Sequence, residues 1–391
     1  MVRESDEEEF FVKAVIMAGG QGTRLRPLTS EQPKPMIPVV NVPCMEHIVN
    51  LLKRSGFERI VATLEYMPEV IRAHFGDGSR WGVEMEYSVE EEPLGTAGSV
   101  KYIEDRLGER FVVVSGDALT DVDLGAVLRF HEESGAEVTL VLKKVDDPSE
   151  FGIVVVDEDG RVERFLEKPD EDEVFSYTAN TGIYVVEPGV LDEVPAGQEY
   201  DWSKEVFPKL LDEGRPVYGY VMGADSYWED IGNIEQYMDA QRAVLDGKVS
   251  GVVPPGEEQR RGIRVGDGAE AGEGSLKGPV VVGDGVRISP DAQVGPYSVL
   301  ASGVSVDARA TVVGSTVAEG ATIGEGAELS GALVGRSCEI RAGARLQKGC
   351  ALGDGVVVGE GVSIAAGVSV YPGETIPDGT KVSEDVGGDE S

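Results

Sequence analysis

Cysteine is scarce in this chain of 391 residues, which contains only Cys44, Cys338 and Cys350. An odd number of cysteines without CxxC spacing indicates neither a disulfide framework nor a zinc site. This scarcity fits a reducing compartment, and we expect the protein to be cytoplasmic. Long apolar runs are missing too, and the acidic start MVRESDEEEFF lacks the apolar core of a signal peptide. The sequence therefore predicts a soluble protein without a membrane segment.

Positive charge is also in short supply, with 35 lysines and arginines against 71 aspartates and glutamates and a net charge of −36. Such a chain repels phosphate backbones and anionic lipids, which argues against nucleic acid or membrane as a partner. Either a salty cytoplasm or a need for solubility accounts for the acidity. At any site for an anion, the few cations and a bound metal must reverse the local field.

Histidine is rare as well, and all three histidines precede residue 132. We interpret His47, His74 and His131 as structural. The sequence shows no Ser/His/Asp or Cys/His constellation, so a covalent nucleophile is not indicated.

The most informative stretch is 13–38, KAVIMAGGQGTRLRPLTSEQPKPMIP. Its apolar start predicts a strand buried in a parallel sheet, and the glycines that follow let backbone N–H groups approach an anion. Arg24 and Arg26 offer planar forks to phosphate oxygens, and Lys34 is a point charge between two prolines. The stretch predicts a phosphate site, although it is neither GxGxxG nor GxxxxGK[ST]. Its glycines are Gly19, Gly20 and Gly22.

Strand and helix signals alternate after this loop. CMEHIVNLLKRSGF has apolar residues at helical spacing, RIVATL predicts a strand, PEVIRAHFG predicts a second helix, and FVVVSGD predicts another buried strand. This alternation predicts an α/β fold, a Rossmann-like doubly wound mixed sheet. Ligands of such sheets bind beyond the carboxyl ends of the strands.

From about residue 248 the composition changes, because glycine rises and an aliphatic residue returns at every sixth position. Two five-residue steps interrupt this period, at Val317 and Val334. The pattern is the hexapeptide repeat of a parallel β-helix with about six turns, in which each hexad forms one face of a prism and its aliphatic residue points inward. The inward positions are Val282, Ile288, Val294, Leu300, Val306, Val312, Val317, Ile323, Leu329, Val334, Ile340, Leu346, Leu352, Val358, Ile364, Val370, Ile376 and Val382.

The string GGQGTRLRPLT followed by PKP resembles the signature of the sugar-1-phosphate nucleotidyltransferases. Residues 13–247 are similar to bacterial mannose-1-phosphate guanylyltransferases, including LKRSGF, FGDGS, EEEPLGTAGSVK and SGDALTD. The resemblance implies that GTP and mannose 1-phosphate react to give GDP-mannose and pyrophosphate. The repeat also resembles known hexapeptide proteins, which implies that the β-helix is left-handed.

The resemblance also implies roles at the phosphate end of the nucleotide. Arg24 would stabilise the leaving pyrophosphate, and Lys34 would contact the α-phosphate. Asp117, which ends FVVVSGD, and Asp230, in YWEDIGN, would hold Mg²⁺. Asn233 stands where the family usually has Thr, and we interpret it as a helix cap. The implied nucleotide-binding residues are Ala18, Gly19, Gly20, Gly22, Thr23, Arg24, Glu90, Gly95 and Thr96.

The segment YSVEEEPLGTAGSV, residues 87–100, matches the part of the family that reads the base. By composition alone it is a solvated turn. By resemblance, Gly95 lets the base approach and the base-reading side chain falls on or near Glu90, with Glu91 as the alternative. Guanine presents two adjacent donors, which one carboxylate accepts together, whereas uracil and thymine suit an amide. We therefore expect Glu90 to select guanine.

Three shorter motifs, FGI, FLEKP and NTG, resemble the parts of the family that bind the sugar phosphate. The carboxylate of FLEKP can accept from sugar hydroxyls while its lysine meets the phosphate, although without the resemblance the two are an exposed ion pair. The amide of NTG can donate to and accept from hydroxyls. The residues concerned are Gly152, Glu167, Lys168 and Asn180.

Two alternatives stay open for the catalytic part. One is the same reaction with UTP or dTTP and glucose 1-phosphate, and the other is a regulatory subunit without activity. Hexapeptide domains are often acyltransferases, but the repeat has no histidine to act as the base. We expect it to be a structural or oligomerisation domain, and the protein to be a homo-oligomer. The predicted domains are a disordered N-terminus 1–11, a nucleotidyltransferase domain 12–247, a linker 248–262, the β-helix 263–384 and a disordered tail 385–391.

Overall fold

A computed structural model of the protein describes residues 13–272 and 274–388. The predicted N-terminal segment 1–11 lies outside the described residues, as do positions 389–391 of the predicted tail. Inside that tail, Val386 forms a parallel bridge with Val370 of the repeat. No helix in the described ranges is long and apolar enough to cross a lipid bilayer.

The chain divides into two compact units that do not follow its linear order. The first contains Met1–Gly19 and Ile48–Trp228, and the second contains Gly20–His47 and Glu229–Ser391. The second unit therefore joins most of the glycine-rich, basic loop to the repeat region. The predicted boundary near residue 248 stays a prediction.

A nine-stranded sheet forms the centre of the first unit. Lys13–Met17 lies between Arg59–Leu64 and Phe111–Ser115, parallel to both, and Glu84–Val89 continues the parallel part. Thr178–Val186 runs antiparallel to Phe111–Ser115, so the sheet is mixed, as the sequence predicts. The nine strands are Lys13–Met17, Arg59–Leu64, Glu84–Val89, Phe111–Ser115, Val138–Lys144, Gly152–Val156, Val162–Glu167, Thr178–Val186 and Val217–Val221.

The central strands are buried on both faces, which explains why they read as continuous apolar runs. Ala14, Val15 and Ile16 are fully buried. Met17 is the register partner of Ser115, and the N–H of Gly116 donates to the Met17 carbonyl at 2.8 Å. The chain therefore leaves both strands at one edge of the sheet, where predicted site residues follow each strand.

Seven α-helices lie in the described ranges. Asp123 caps the helix Leu124–Ser134 by accepting from the N–H of Ala126, and Asn233 caps the helix Ile234–Leu245 by accepting from the N–H of Gln236. The capping role predicted for Asn233 is confirmed. The helices are α1 Cys44–Arg54, α2 Pro68–Phe75, α3 Gly95–Lys101, α4 Glu104–Leu107, α5 Leu124–Ser134, α6 Phe207–Asp212 and α7 Ile234–Leu245.

Short elements connect these helices and strands. A two-stranded hairpin is formed by Pro38–Val39 and Val42–Pro43, and two further short strands are Ala118–Thr120 and Trp228–Asp230. A π-helix spans Trp202–Val206. The 3₁₀ turns are Thr23–Leu25, Lys34–Met36, Ser79–Trp81, Glu171–Glu173 and Pro188–Glu193.

The repeat region forms three sheets of eight, seven and six short strands. Register partners on successive coils are eighteen residues apart, as in Val282 and Leu300, and seventeen apart at the five-residue steps, as in Leu300 and Val317. All eighteen predicted inward residues are buried, and Val382 is the most exposed of them at 8%. This confirms the β-helix.

The strands of the β-helix follow one another around its three sheets. Glu257–Arg260, inside the predicted linker, pairs antiparallel with the first strand of the repeat. The eight strands of the first sheet are Glu257–Arg260, Ile263–Val265, Val280–Val282, Ser298–Leu300, Thr316–Val317, Leu333–Val334, Ala351–Leu352 and Ser369–Val370. The seven of the second are Glu270–Ala271, Arg287–Ile288, Ser305–Val306, Thr322–Ile323, Glu339–Ile340, Val357–Val358 and Thr375–Ile376. The six of the third are Gln293–Val294, Thr311–Val313, Glu328–Ser330, Arg345–Leu346, Ser363–Ile364 and Lys381–Val382.

Candidate active site

The glycine-rich loop turns at Gly22, which has a left-handed φ of +67° and opens the 3₁₀ turn Thr23–Leu25. A Cβ at this position would lie 2.8 Å from the Cβ of Lys34 and 3.0 Å from the Cγ2 of Thr29. The Thr29 hydroxyl donates to the Gly22 carbonyl at 2.7 Å. Both the backbone conformation and the close approach to Lys34 therefore require glycine here.

Three of the four predicted catalytic residues come together in the second unit. The Lys34 ammonium lies 3.1 Å from Asp230 Oδ1, and the Lys34 side chain is 10% exposed. A Cβ placed on Gly232 would lie 3.1 Å from Asp230 Oδ2 and 3.2 Å from Arg24 Nη2, so both groups flank this glycine. We call Arg24, Lys34 and Asp230 the loop cluster. It combines two cations with one carboxylate, which suits a phosphate and its metal ion.

Carboxylates crowd the same part of the second unit. Burial raises the pKa of Glu229 to about 7, and the charges of Asp239 and Asp230 add to the rise. Negative charge is therefore costly next to Asp230. A cation placed at Asp230 would relieve this repulsion, as the Lys34 ammonium already does in part.

Asp117, the fourth predicted catalytic residue, follows the strand Phe111–Ser115 in the first unit. The Ser115 hydroxyl donates to Asp117 Oδ1 at 2.6 Å. This bond orients the carboxylate at the carboxyl edge of the sheet, where ligands of such sheets bind. The family resemblance identifies Asp117, whereas nothing in the motif FVVVSGD indicates that Ser115 donates a hydrogen bond to it.

Glu90 follows the strand Glu84–Val89. Its Oε2 accepts from the N–H of Leu94 at 2.9 Å. Burial raises the pKa of Glu90, the Leu94 hydrogen bond opposes the rise, and the Glu65 charge adds to it. A carboxylate that has already lost water is well suited to accept hydrogen bonds from a ligand.

Gly95 begins α3 with a left-handed φ of +71°, and a Cβ there would lie 2.7 Å from the Tyr200 carbonyl oxygen. Close packing against Tyr200 is therefore enough to explain the glycine, without the expected approach of a base. Next to it, the Thr96 hydroxyl donates to Asp201 Oδ2 at 2.7 Å and accepts from the N–H of Trp202 at 3.0 Å. Thr96 thus joins α3 to the segment that begins at Asp201.

Two of the predicted sugar-phosphate residues, Glu167 and Asn180, contact one hydroxyl in the first unit, that of Ser203. It donates to Glu167, and it lies 3.4 Å from the Asn180 side-chain nitrogen. A Cβ on Gly152 would lie 2.6 Å from Glu167 Oε2. We call Gly152, Glu167, Asn180 and Ser203 the sugar cluster.

The side chains of the sugar cluster are partly or fully buried. Asn180 is 8% exposed, and it also donates to the Tyr184 hydroxyl at 3.0 Å. Burial raises the pKa of Glu167, and the Asp201 charge adds to the rise. Lys168 is exposed and has a φ of 44°, an uncommon conformation for lysine that is often found at functional sites.

Ser203 and Asp201 were missed by the reading of the sequence. Asp201 Oδ1 accepts from the N–H groups of Ser203 and Lys204, and so caps the π-helix Trp202–Val206. The available signal was an aspartate before a helical run, which predicts a cap and not a binding site. The π-helix brings Ser203 to Glu167 and Asn180, which stand on strands distant from it in sequence.

No cluster of three or more His, Cys, Asp or Glu side chains suited to a metal ion occurs within 13–272 and 274–388. Mg²⁺ needs no such cluster, because it takes one or two carboxylates and completes its shell with water and substrate phosphate. Asp117 in the first unit and Asp230 in the second are each a hard oxygen donor of that type. Zinc, with its preference for nitrogen and sulfur, is not suited to them.

Comparison with known proteins gives the class of this chain. The sequence pattern of the nucleotidyl transferase family matches residues 13–247, so the chain belongs to that family. It is a nucleotidyltransferase, as its loop motif predicts. A second pattern, described as the GMPPB C-terminal domain, matches residues 276–385.

Curated relatives cover most of the chain. A mannose-1-phosphate guanylyltransferase of Mycobacterium tuberculosis is 40% identical over 309 residues, which are 77% of this chain and 83% of that protein. A UTP–glucose-1-phosphate uridylyltransferase of Synechocystis is 40% identical over 318 residues, 76% of this chain and 81% of that protein. The two relatives thus differ in both base and sugar at equal identity.

A solved structure supports the fold of the catalytic part. A putative glucose-1-phosphate thymidylyltransferase from Bacillus anthracis, crystallised with a sucrose, superposes with a TM-score of 0.54 at 27% identity. The match covers 59% of this chain and 94% of that one.

Proposed function

We propose that this protein transfers the guanylyl group of GTP to mannose 1-phosphate, giving GDP-mannose and pyrophosphate. The observation that carries the proposal is the loop cluster, in which Asp230 lies beside Arg24 and Lys34 although it is 196 positions after Lys34 in sequence. The Mycobacterium tuberculosis relative, a mannose-1-phosphate guanylyltransferase, supports GTP and mannose 1-phosphate as the substrates.

The chemistry requires no nucleophile from the protein. An oxygen of the sugar phosphate attacks the α-phosphorus of the triphosphate, and the bond to the bridging oxygen breaks in line as pyrophosphate leaves with the electron pair. Such a reaction depends on positioning and on neutralising charge. Lys34 meets the α-phosphate and Arg24 the leaving pyrophosphate, while N–H groups of the loop cradle the phosphates. These N–H groups are those of Gly19, Gly20 and Gly22, and the nucleotide-binding residues Ala18 and Thr23 flank them. The N–H of Ala18 itself donates to the Thr63 carbonyl at 2.9 Å.

Asp117 and Asp230 are the carboxylates that would hold Mg²⁺. When bound, the ion withdraws charge from the phosphate oxygens and makes the α-phosphorus more electrophilic. The Ser115 hydroxyl bond to Asp117 and the Lys34 contact to Asp230 orient the two carboxylates for this purpose. Each carboxylate is thus held by a partner on its own unit before any ligand binds.

Glu90 is the residue that selects guanine, since a carboxylate accepts from the N1–H and the 2-amino group together. Gly95 and Thr96 adjoin it at the start of α3. On the sugar side, Glu167 and Asn180 accept from and donate to hydroxyls, Lys168 meets the phosphate, and Gly152 leaves room beside Glu167. The Ser203 hydroxyl, which contacts both polar side chains, keeps their spacing.

The alternative is the same transfer with UTP or dTTP and glucose 1-phosphate, favoured by the Synechocystis relative. A panel of GTP, UTP and dTTP, each with mannose 1-phosphate and glucose 1-phosphate, separates the two by pyrophosphate release in Mg²⁺. We expect GTP with mannose 1-phosphate to have the highest kcat/KM. A preference for UTP or dTTP with glucose 1-phosphate would establish the alternative, and no release from any pair would indicate a subunit without activity.

We further propose that the protein acts in the cytoplasm as a homo-oligomer and that the β-helix has a structural role. Residues 263–384 contain no histidine. The Cys338 and Cys350 side chains are buried, and burial raises the pKa of each thiol to about 12. Neither is suited to acyl transfer at neutral pH. Light scattering of the purified protein gives the oligomeric state, and a monomer would contradict that part of the proposal.

A further inference from the structure

A small hairpin follows the turn that carries Lys34. Its strands Pro38–Val39 and Val42–Pro43 are joined by Val40 and Asn41, with φ of 46° and 66°, as in a type I′ turn. The N–H of Ile37 donates to the Lys34 carbonyl, and the Ile37 carbonyl accepts from Cys44 beyond the hairpin. The Lys34 turn and the hairpin are therefore directly continuous.

Two buried side chains of α7 contact the first strand and the turn of this hairpin. Gln241 Oε1 accepts from the N–H of Val40 at 2.7 Å, and its Nε2 donates to the Pro38 carbonyl at 3.3 Å. The Tyr237 hydroxyl donates to the same carbonyl at 2.8 Å. Gln241 and Tyr237 are 3% and 2% exposed. Since both ends of the amide are used, one orientation of Gln241 satisfies both bonds.

The tip of the hairpin reaches the β-helix. Asn41 Nδ2 donates to the Leu300 carbonyl at 2.8 Å. Leu300 is fully buried in the β-helix core, and its strand Ser298–Leu300 is paired on both sides, with Val280–Val282 and Thr316–Val317. The acceptor thus belongs to a rigid part of the fold.

We propose that Asn41 is a positioning residue, through which the β-helix holds the turn that carries Lys34. The inference rests on the proposed function, in which Lys34 meets the α-phosphate. A hairpin with two-residue strands is marginal by itself and needs outside contacts to stay in place. A displacement of about 1 Å of a group that acts in the transition state can cost about 100-fold in rate. The β-helix would then contribute to catalysis without touching a substrate.

The test is Asn41→Gly in the full-length protein, because glycine accepts the positive φ and removes the donor. The matched control is Tyr297→Phe. The Tyr297 hydroxyl, also in the β-helix, donates to Asp246 Oδ1 at 2.9 Å, at the other end of α7 from the site. Each change therefore removes one hydrogen bond between the β-helix and the rest of its unit. Hydrogen–deuterium exchange of peptides covering 33–37 and steady-state kinetics are measured on both variants and on the unchanged protein.

In Asn41→Gly we expect exchange in 33–37 to rise several-fold and kcat to fall about tenfold, with the KM for GTP within about twofold, since the loss falls on the transition state. Tyr297→Phe should change neither. The proposal would be overturned if residues 33–37 of Asn41→Gly exchanged at the rate of the unchanged protein. It would also be overturned if they exchanged faster while kcat stayed the same. If the unchanged protein has no activity with any substrate pair, the proposed function fails, and the exchange measurement alone decides whether Asn41 supports the turn.

Discussion

The β-helix and the nine-stranded sheet place their polar side chains differently. In the β-helix the inward positions are aliphatic, and a buried hydroxyl such as that of Ser298 donates to the backbone, here to Val312 at 3.0 Å. In the sheet, the buried Asn180 donates instead to other side chains, the hydroxyls of Tyr184 and Ser203. The repeat uses its buried residues to stack one coil on the next, whereas the sheet also carries hydrogen bonds between buried side chains.

If this contrast is right, the largest losses of activity should come from substitutions of the carboxylates in the proposed site. Asp117→Asn and Asp230→Asn should each lower kcat about 1000-fold or more, because an amide neither carries charge nor binds Mg²⁺ well. The melting temperature should change little, since the amide oxygen can still accept from Ser115 or Lys34. Pyrophosphate release and thermal unfolding measure the two effects.

The control for these variants is Asp123→Asn, which keeps the cap of α5 because Asn and Asp are equally good caps. It should match the unchanged protein in both assays. Full turnover in Asp117→Asn or Asp230→Asn would remove the metal assignment from that residue.

The second prediction concerns a substitution that should lower the stability of the protein and leave its activity unchanged. Leu329→Ala, in the β-helix core at 1% exposure, should destabilise the protein by about 2–5 kcal/mol. The neighbouring Glu328 is exposed, and Glu328→Ala should stay within about 0.5 kcal/mol. The kcat/KM at 25 °C should be unchanged in both variants. Denaturant unfolding provides the measurement, and a Leu329→Ala protein as stable as the original would contradict the assignment of this side chain to the core.

The third prediction concerns Glu90. Glu90→Gln should reduce the preference for GTP over UTP about 10- to 100-fold, since a hydrogen bond to a charged group contributes about 1.5–3 kcal/mol. The pKa of Glu90 is raised chiefly by burial. As pH falls towards that pKa, the carboxyl gains a proton and stops accepting two hydrogen bonds. The KM for GTP should therefore rise with falling pH in the unchanged protein.

The same pH series on Glu90→Gln gives the decisive comparison, because the amide does not titrate. Its KM for GTP should be flat over the range in which the unchanged protein changes. Parallel pH profiles, together with an intact preference for GTP, would show that another residue reads the base. Glu91→Gln, which makes the same change one position away, is the matched variant for Glu90→Gln in both measurements.

The smallest expected effect is at Cys338 and Cys350. Because burial raises the pKa of each thiol to about 12, both stay protonated at pH 8. Iodoacetamide should leave them unmodified in the folded protein and label them after denaturation. Mass spectrometry of the two samples measures this, and rapid labelling of the folded protein would contradict a closed β-helix core.

The same contrast explains what the sequence could predict. The hexad repeat is local, so each inward residue from Val282 to Val382 was assigned correctly from its spacing. The sheet, its helices and the cap at Asn233 also follow local rules of period and turn chemistry. Family resemblance selected Lys34 and Asp230, and the structure brings them to 3.1 Å.

Contacts made by distant segments could not be predicted in this way. Ser203 reaches Glu167 and Asn180 because its π-helix lies beside strands that are distant in sequence, and nothing in the segment DWSKE, residues 201–205, indicates those contacts. Asn41 reaches Leu300 across 259 positions of sequence. Gly95 shows the same limit. Its motif suggests a role beside a base, whereas its close packing against Tyr200 depends on a segment that is distant in sequence.

Direct transfer without a covalent intermediate is the central claim, and isotope exchange tests it most directly. The protein is incubated with GTP, Mg²⁺ and labelled pyrophosphate, with and without GDP-mannose. We predict that label enters GTP when GDP-mannose is present and not when it is absent, because the sugar phosphate itself must be the attacking group. Exchange without any sugar nucleotide or sugar phosphate would show that a protein side chain takes up the guanylyl group, and would contradict the account.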